Sequence, residues 1–383
     1  MKITSIKAYP FYPGAGKNLI FCRVETDEGI HGWGEPYVNA GNERSVVDFI
    51  QRMAAQLVGR DPFLVRHSAQ VMFDDLVKRR GSIDFFCAWS AVEIALWDVI
   101  GKKLGQPVYN LLGGPTRPKV RVYANGWWHD LSIDQTARRA AEVKKSGFTA
   151  MKFDPLPDPW RTFVSEKDED YAVACVKAVR EAVGPEVDLL VEAHRRLAPF
   201  QAVRLARRLE EFHPFWYEEP CLADNMDLVA AAKHEIRTPV VTGETLYTKE
   251  QFKEVFEKRA ADIINPDTCA AGGILGMLDI AAMAAPYAVA VSPHNFNSTV
   301  VGLAATVHLA ALMPNFLIAE YFVNLAPGCA EVALNPIKVA DGWAELPTAP
   351  GLGVDIDLNR LAAHPWHEGP PKPVRQYWEE LPR

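Results

Sequence analysis

With 383 residues, 49% of them hydrophobic, the chain has material for a large core and, at this length, for two domains. Its net charge of −7 is spread along the chain with no basic block, which argues against nucleic acid as a partner. No apolar run reaches the about 18 residues of a membrane span, and Met1-Lys2-Ile3-Thr4-Ser5 lacks the apolar core of a secretory signal, so no membrane partner and a cytoplasmic location are expected.

Residues 2–9 and 19–26 alternate or run apolar, and Asp27-Glu28-Gly29 turns into Ile30-His31-Gly32-Trp33-Gly34-Glu35, which predicts a small antiparallel sheet. Between them, residues 10–18 are too rich in Gly and Pro for either element; this loop, which carries Tyr12, is expected to close over a pocket and contact substrate. Helical spacing follows over 42–57, 63–78 and 84–104, the last stopping at Gly105-Gln106-Pro107. The first domain is therefore α+β and assigned to residues 1–115. Cys22, Cys87, Cys175, Cys221, Cys269 and Cys329 form no close pair, as expected of reduced core thiols.

From Val120 short apolar strands alternate with amphipathic helices such as 131–146, 168–183, 199–212 and 249–258. Strand ends fall at Tyr123-Ala124-Asn125, Lys152-Phe153-Asp154, Glu192-Ala193-His194, Tyr217-Glu218-Glu219, Gly243-Glu244, Pro266-Asp267, Pro293-His294 and Ala319-Glu320. Eight such strands predict a closed parallel α/β barrel over 116–325 with its active site at the strands' C-terminal ends. Beyond it, Pro327-Gly328, Pro350-Gly351-Leu352-Gly353 and a Pro-rich charged tail predict that 326–383 returns over the surface to the first domain.

Glu192, Glu218 and Glu244 recur on one pitch, 26 residues from the first to the second and again to the third. Three carboxylates at one rim require a cation, and an all-oxygen site suits one magnesium ion. Asp267 and His294 end adjacent strands, and a carboxylate on one imidazole nitrogen makes the other a competent base. His194, two residues after Glu192 and so expected on the same strand face, is a second acid–base candidate. Lys152 and Asp154 share a strand face and either bind the substrate or form an ion-pair layer in the barrel mouth; Glu320 ends the eighth strand. Arg195, Arg196, Trp127, Trp128, Asn295 and Asn297 are rim residues open to substrate contact or to simple solvation. Glu219 faces away and is expected to make a structural hydrogen bond, and the Gly272-Gly273 pair is more simply a turn than a phosphate loop.

Taken together, Gly32-Trp33-Gly34-Glu35, Ala95-Leu96-Trp97-Asp98, Leu111-Leu112-Gly113-Gly114, Tyr217-Glu218-Glu219-Pro220, Gly243-Glu244 and Pro266-Asp267 with Gly272-Gly273 resemble the enolase superfamily in its mandelate-racemase-like branch. The resemblance implies a modified (β/α)7β barrel under a cap built from both termini, magnesium on Glu192, Glu218 and Glu244, and Asp267–His294 as the base that removes a proton α to a carboxylate. It also implies a homo-oligomer, dimer or octamer. The racemases' Lys-x-Lys is replaced by Lys152-Phe153-Asp154. Glu192-Ala193-His194-Arg195, Tyr123-Ala124-Asn125-Gly126-Trp127 and Lys152-Phe153-Asp154-Pro155 are instead similar to gluconate and galactonate dehydratases. That similarity implies His194 as the acid that expels a β-hydroxyl, Glu320 as a hydrogen-bond partner of the substrate carboxylate, and substrate contacts from Asp154, Arg195, Trp127, Tyr12 and Asn295. Epimerisation, racemisation or cycloisomerisation by the same base, and a barrel that binds a sugar acid without turnover, are the rival readings.

Overall fold

The computed structural model describes residues 1–39, 41–129, 131–296, 298, 300–368 and 374–380. Strands β1 (Ile3–Phe11), β2 (Leu19–Thr26) and β3 (His31–Gly34) form an antiparallel meander. β1 runs two residues beyond the sequence expectation because Pro10 sits on an edge strand, where a missing N–H costs no ladder bond. The loop therefore opens at Tyr12.

Helix Ile83–Leu104 lies against this sheet, capped by Ser82 and ended by Gly105 at φ 66°. Contact is close enough that a Cβ on Gly34 would stand 1.8 Å from the Ala91 carbonyl oxygen, which explains the glycines around Trp33. The helical expectation over 63–78 resolves into helix Val65–Val71 and a wide turn of π type, Met72–Leu76.

The barrel strands are β4 (Lys119–Asn125), β5 (Ala150–Phe153), β6 (Asp188–Glu192), β7 (Trp216–Glu218), β8 (Val240–Thr242), β9 (Ile263–Ile264), β10 (Ala290–Val291) and β11 (Ala319–Phe322). They run parallel in the order β10-β9-β8-β7-β6-β5-β4-β11, and a bridge between Val291 and Phe316 closes the ring. A helix separates each successive pair, giving the (β/α)7β form of the modified barrel. A hairpin of β12 (Val339–Ala340) and β13 (Trp343–Glu345) adds antiparallel to the outer end of β4. The C-terminal region thus divides: the hairpin extends the barrel sheet, whereas Leu352 and Asp355 return to the cap. There Asp98 accepts hydrogen bonds from the Trp33 and Leu352 amides at 2.9 and 2.8 Å, and Asp355 accepts from the Trp33 indole at 2.6 Å.

Inside the ring, Tyr123, Ala150, Leu190, Trp216, Val241, Ile263 and Ile318 make a separate apolar floor. Side chains alternate along a strand, so the next inward residue on six of these strands lies two positions on: Asn125, Lys152, Glu192, Glu218, Asn265 and Glu320. A polar storey stands directly on the apolar one. The cap is seated on this mouth. Glu35 accepts from the Gly302 amide at 2.8 Å, Tyr37 donates its amide to Cys269, and Glu93 accepts from the Ile274 and Leu275 amides at the start of helix Gly273–Ala284. Glu93 leaves no room for a Cβ on Gly273, and its carboxylate occupies the helix N-terminus, so the glycine pair serves this junction. Among the described residues no helix is long and apolar enough to cross a membrane, and all six cysteines are buried.

Candidate active site at the barrel mouth

Glu192 and Glu218 are paired residues on adjacent strands, and with Glu244 they present carboxylate oxygens within 4.8 Å of one another. The equal sequence pitch hides an unequal structure. Glu218 registers with Val241, so Glu244 lies three residues beyond that position rather than beside it. Gly243, at φ 141°, turns the chain so that Glu244 rejoins the cluster; a Cβ there would meet the Phe252 ring at 2.8 Å.

Lys152 sits beneath the cluster, its ammonium 2.8 Å from Glu218, 2.9 Å from Glu320 and 3.6 Å from Glu192. Burial disfavours its charge, but Glu218 and Glu320 outweigh burial and hold the pKa well above the ordinary value. Of the two readings open from sequence, this is the ion-pair layer. Burial and then Glu192 drive the Glu218 carboxyl well above its usual range. Glu244 goes the other way, because His294 and the Arg195 guanidinium bonded to it outweigh burial. Oε2 of Glu192 and Oε2 of Glu218 are buried with no hydrogen-bond partner. Unpartnered buried carboxylate oxygens are costly, and an oxygen-seeking divalent cation satisfies them while lowering the carboxylates' proton affinity. The residues therefore fit magnesium. Glu219, at φ 44°, faces away and accepts from Thr242 Oγ1 at 2.6 Å and the Gly243 amide at 2.9 Å, the structural role expected of it.

His294 Nδ1 is 2.7 Å from Asp267, whose other oxygen accepts the Cys269 amide at 2.7 Å. That leaves Nε2 facing the mouth, 3.2 Å from Glu244 and 3.6 Å from Glu320. Burial lowers the His294 pKa, but Glu320, Glu244 and Asp267 together raise it well above the ordinary value. Glu320 is fixed by Asn125 Nδ2 at 2.7 Å and the Asn295 amide at 2.8 Å.

His194 lies two residues past β6, a strand four places around the ring of eight from β10, and so opposite His294, three residues past β10. It does not reach the pocket by strand alternation: the chain leaves the extended conformation, with His194 at φ 47° and Arg195 at φ 53°, and the His194 amide turns back to Glu192 at 2.7 Å. Its Nδ1 is 2.5 Å from Asp154. Burial lowers its pKa, and Glu192 and Asp154 more than restore it. Among the described residues Nε2 has no protein partner.

The expected substrate contacts fare unevenly. Asp154 is committed to His194, to Arg196 and to the Leu156 amide, so it orders the site rather than offering a free carboxylate. Trp127 is buried against Phe153; Trp128 and Trp160 are the indoles beside His194. The Asn295 side chain is turned inward to the Ser298 and Glu320 carbonyls. Tyr12 packs on His367 and donates its amide to the His364 carbonyl. Arg195 is part-exposed and bonded to Glu244. Asn297 lies outside the described residues. Three participants escaped the sequence reading. Lys17 of the capping loop stands 3.8 Å over the Phe296 ring, which stacks beside His294. Arg196, taken for a rim residue, is buried and ties Asp154 to the Ala193 and Pro157 carbonyls. Trp160, in an irregular segment, stacks on His194. An open cleft of about 710 Å³ lies apart from these groups, on the flank between Phe73, Phe86, Tyr247 and Leu275.

Two family descriptions match the chain. "Mandelate racemase / muconate lactonizing enzyme, N-terminal domain" matches residues 14–113, and "Enolase C-terminal domain-like" matches residues 135–360. A D-galactonate dehydratase of Ralstonia pickettii (strain 12J) is 33% identical, over 93% of this chain and 92% of that protein. A D-gluconate dehydratase of Thermoproteus tenax is 32% identical, over 90% of this chain and 70% of that one. The crystal structure of a mandelate racemase/muconate lactonizing enzyme-like protein from Roseovarius sp. TM1035 superposes with a TM-score of 0.90 at 33% identity, covering 96% of each chain.

Proposed function

From the premise that this chain belongs to the mandelate-racemase-like branch of the enolase superfamily, we propose that it is a hydro-lyase, a magnesium-dependent dehydratase of an aldonic acid of the gluconate or galactonate kind. One observation carries the reading. Two histidines stand on opposite sides of a carboxylate cluster, each with Nδ1 tied to its own aspartate and Nε2 left for chemistry.

Glu192, Glu218 and Glu244 would hold one magnesium ion, whose charge stabilises an enediolate formed from the substrate carboxylate. His294 acts in its neutral form: Nε2 takes the proton from the carbon α to that carboxylate, and Asp267 stabilises the imidazolium that results. Glu320, fixed by Asn125 and Asn295, donates a hydrogen bond to the substrate carboxylate in its protonated form. His194 gives its proton to the β-hydroxyl, which leaves as water as the carbon–oxygen bond breaks. The enol left behind tautomerises to a 2-keto-3-deoxy acid. Lys152 contributes fixed positive charge under the mouth, and Asp154 and Arg195 order His194 and Glu244 respectively.

A library of aldonic and aldaric acids incubated with protein and magnesium should yield a 2-keto-3-deoxy product from at least one member. A chelator should abolish turnover and added magnesium restore it. An epimer without keto product would replace dehydration by epimerisation, and turnover indifferent to chelation would remove the metal from the proposal.

A further inference from the structure

The segment between β5 and helix Glu166–Val183 has no regular structure but is firmly held on both flanks. On one side Arg196 donates to the Pro157 carbonyl at 3.3 Å. On the other, the Ala198 amide donates to the Thr162 carbonyl at 3.0 Å, and Gln201 Nε2 to the Val164 carbonyl at 2.7 Å. The stretch between is gripped from outside by the C-terminal tail. Arg375 donates to the Trp160 carbonyl at 3.0 Å, and Arg161 donates to the Glu379 carbonyl at 2.8 Å.

Trp160 is 45% exposed, so burial does not explain its place. What it touches does. Its ring stacks on the His194 imidazole at 5.1 Å and 26°, and the guanidinium carbons of Arg195 and Arg196 lie 5.6 and 5.2 Å from the same ring. The hydrogen bond that His194 Nδ1 donates to Asp154 fixes one nitrogen but leaves the ring free to pivot about that bond. A flat indole face removes the pivot, because stacking fixes the imidazole plane and so aims Nε2.

We propose that Trp160 is a positioning residue for the proton-donating step, the surface against which His194 is oriented toward the leaving hydroxyl. The inference rests on the reading of His194 as the acid. The step is separable from α-proton removal, since His294 is across the ring and touches no part of this loop among the described residues.

The test follows the acid turned over in the library screen, in deuterated water with magnesium, measuring deuterium gained at the α-carbon of recovered substrate against keto product formed. Trp160→Leu should lower dehydration about ten-fold while α-exchange stays within about two-fold, so the ratio of exchange to product rises about ten-fold. Trp160→Phe, which keeps a flat ring, should recover most of the loss. His194→Asn run alongside should exchange without dehydrating. If His194→Asn dehydrates normally, the acid assignment has failed rather than the positioning. If His194→Asn behaves as expected but Trp160→Leu keeps the wild-type ratio, or Trp160→Phe is as impaired as Trp160→Leu, the positioning role is overturned. A lesion that only loosens the fold lowers exchange and dehydration together, which would also overturn it.

Discussion

In the proposed reaction His294 and His194 have different duties, and their surroundings differ too: His294 is buried within reach of Glu244 and Glu320, whereas His194 is part-exposed beside Asp154. Replacing His294 with Asn should stop both α-exchange and product formation, by about a hundred- to ten-thousand-fold for loss of a general base. Exchange that persists in this variant, followed by NMR in deuterated water, would mean the base is misassigned. Replacing His194 with Asn should leave exchange running while keto acid no longer accumulates, and undiminished keto acid would sink the acid assignment. Some of this was open to reading from residues alone, since a carboxylate two positions past an apolar strand residue lands on the same inner face, as Glu192 does after Leu190 and Glu218 after Trp216. Arg196 and Trp160 were not legible. Arg196 acts on Asp154 42 positions away and Trp160 on His194 34 positions away, through a fold that no local pattern encodes, and an arginine or tryptophan in a polar stretch has the look of a solvated side chain.

At the scale of elements, the strand-and-helix alternation gave the barrel because parallel strands require crossovers, and their apolar runs mark burial on both faces. Irregular backbone was the part that alternation could not reach. The even spacing of Glu192, Glu218 and Glu244 singled out three carboxylates that the fold does bring together, but through an incomplete reason, since the third depends on the turn at Gly243. Gly243→Ala places a Cβ against Phe252 in a conformation that an L-residue resists, so it should cost about 1–3 kcal/mol of stability. Because the turn aims Glu244, magnesium affinity should weaken as well. Calorimetric titration of magnesium together with thermal unfolding checks both, and an unchanged affinity would show that Glu244 finds the cluster without this turn.

Across the whole molecule, cap and barrel are tied by single buried polar groups. His308, in the barrel helix Val300–Leu312, takes the Tyr109 amide on Nδ1 at 3.2 Å and meets the Leu352 carbonyl with Nε2 at 3.1 Å. Burial lowers its pKa to about 4. The folded protein thus refuses a proton that the unfolded chain accepts below its ordinary value of 6.5, so this group's contribution is intact above pH 6.5 and declines as pH falls toward 4. The total is about 3 kcal/mol. Denaturant midpoints measured from pH 7 to 4 should fall, and His308→Asn should flatten that limb; an equally steep fall in the variant would assign the acid sensitivity elsewhere.

The bridge that closes the barrel also sets the order in which the molecule should fail on heating. β5 and β6 are zipped by four residue pairs, whereas β10 meets the neighbouring chain through the Val291 amide to Asn315 and the Leu317 amide to Val291, each 2.9 Å. His294 hangs just past one lip of that seam and Glu320 just past the other. Parting it would separate His294 from Glu320 while the seven other strand-to-strand contacts of the ring remain. Inactivation should therefore run ahead of unfolding, with catalytic activity lost irretrievably or reversibly before the circular dichroism changes, and the Val291 and Leu317 amides should exchange with solvent sooner than those of β5 and β6. Equal exchange rates at the two places would mean that the ring opens everywhere at once.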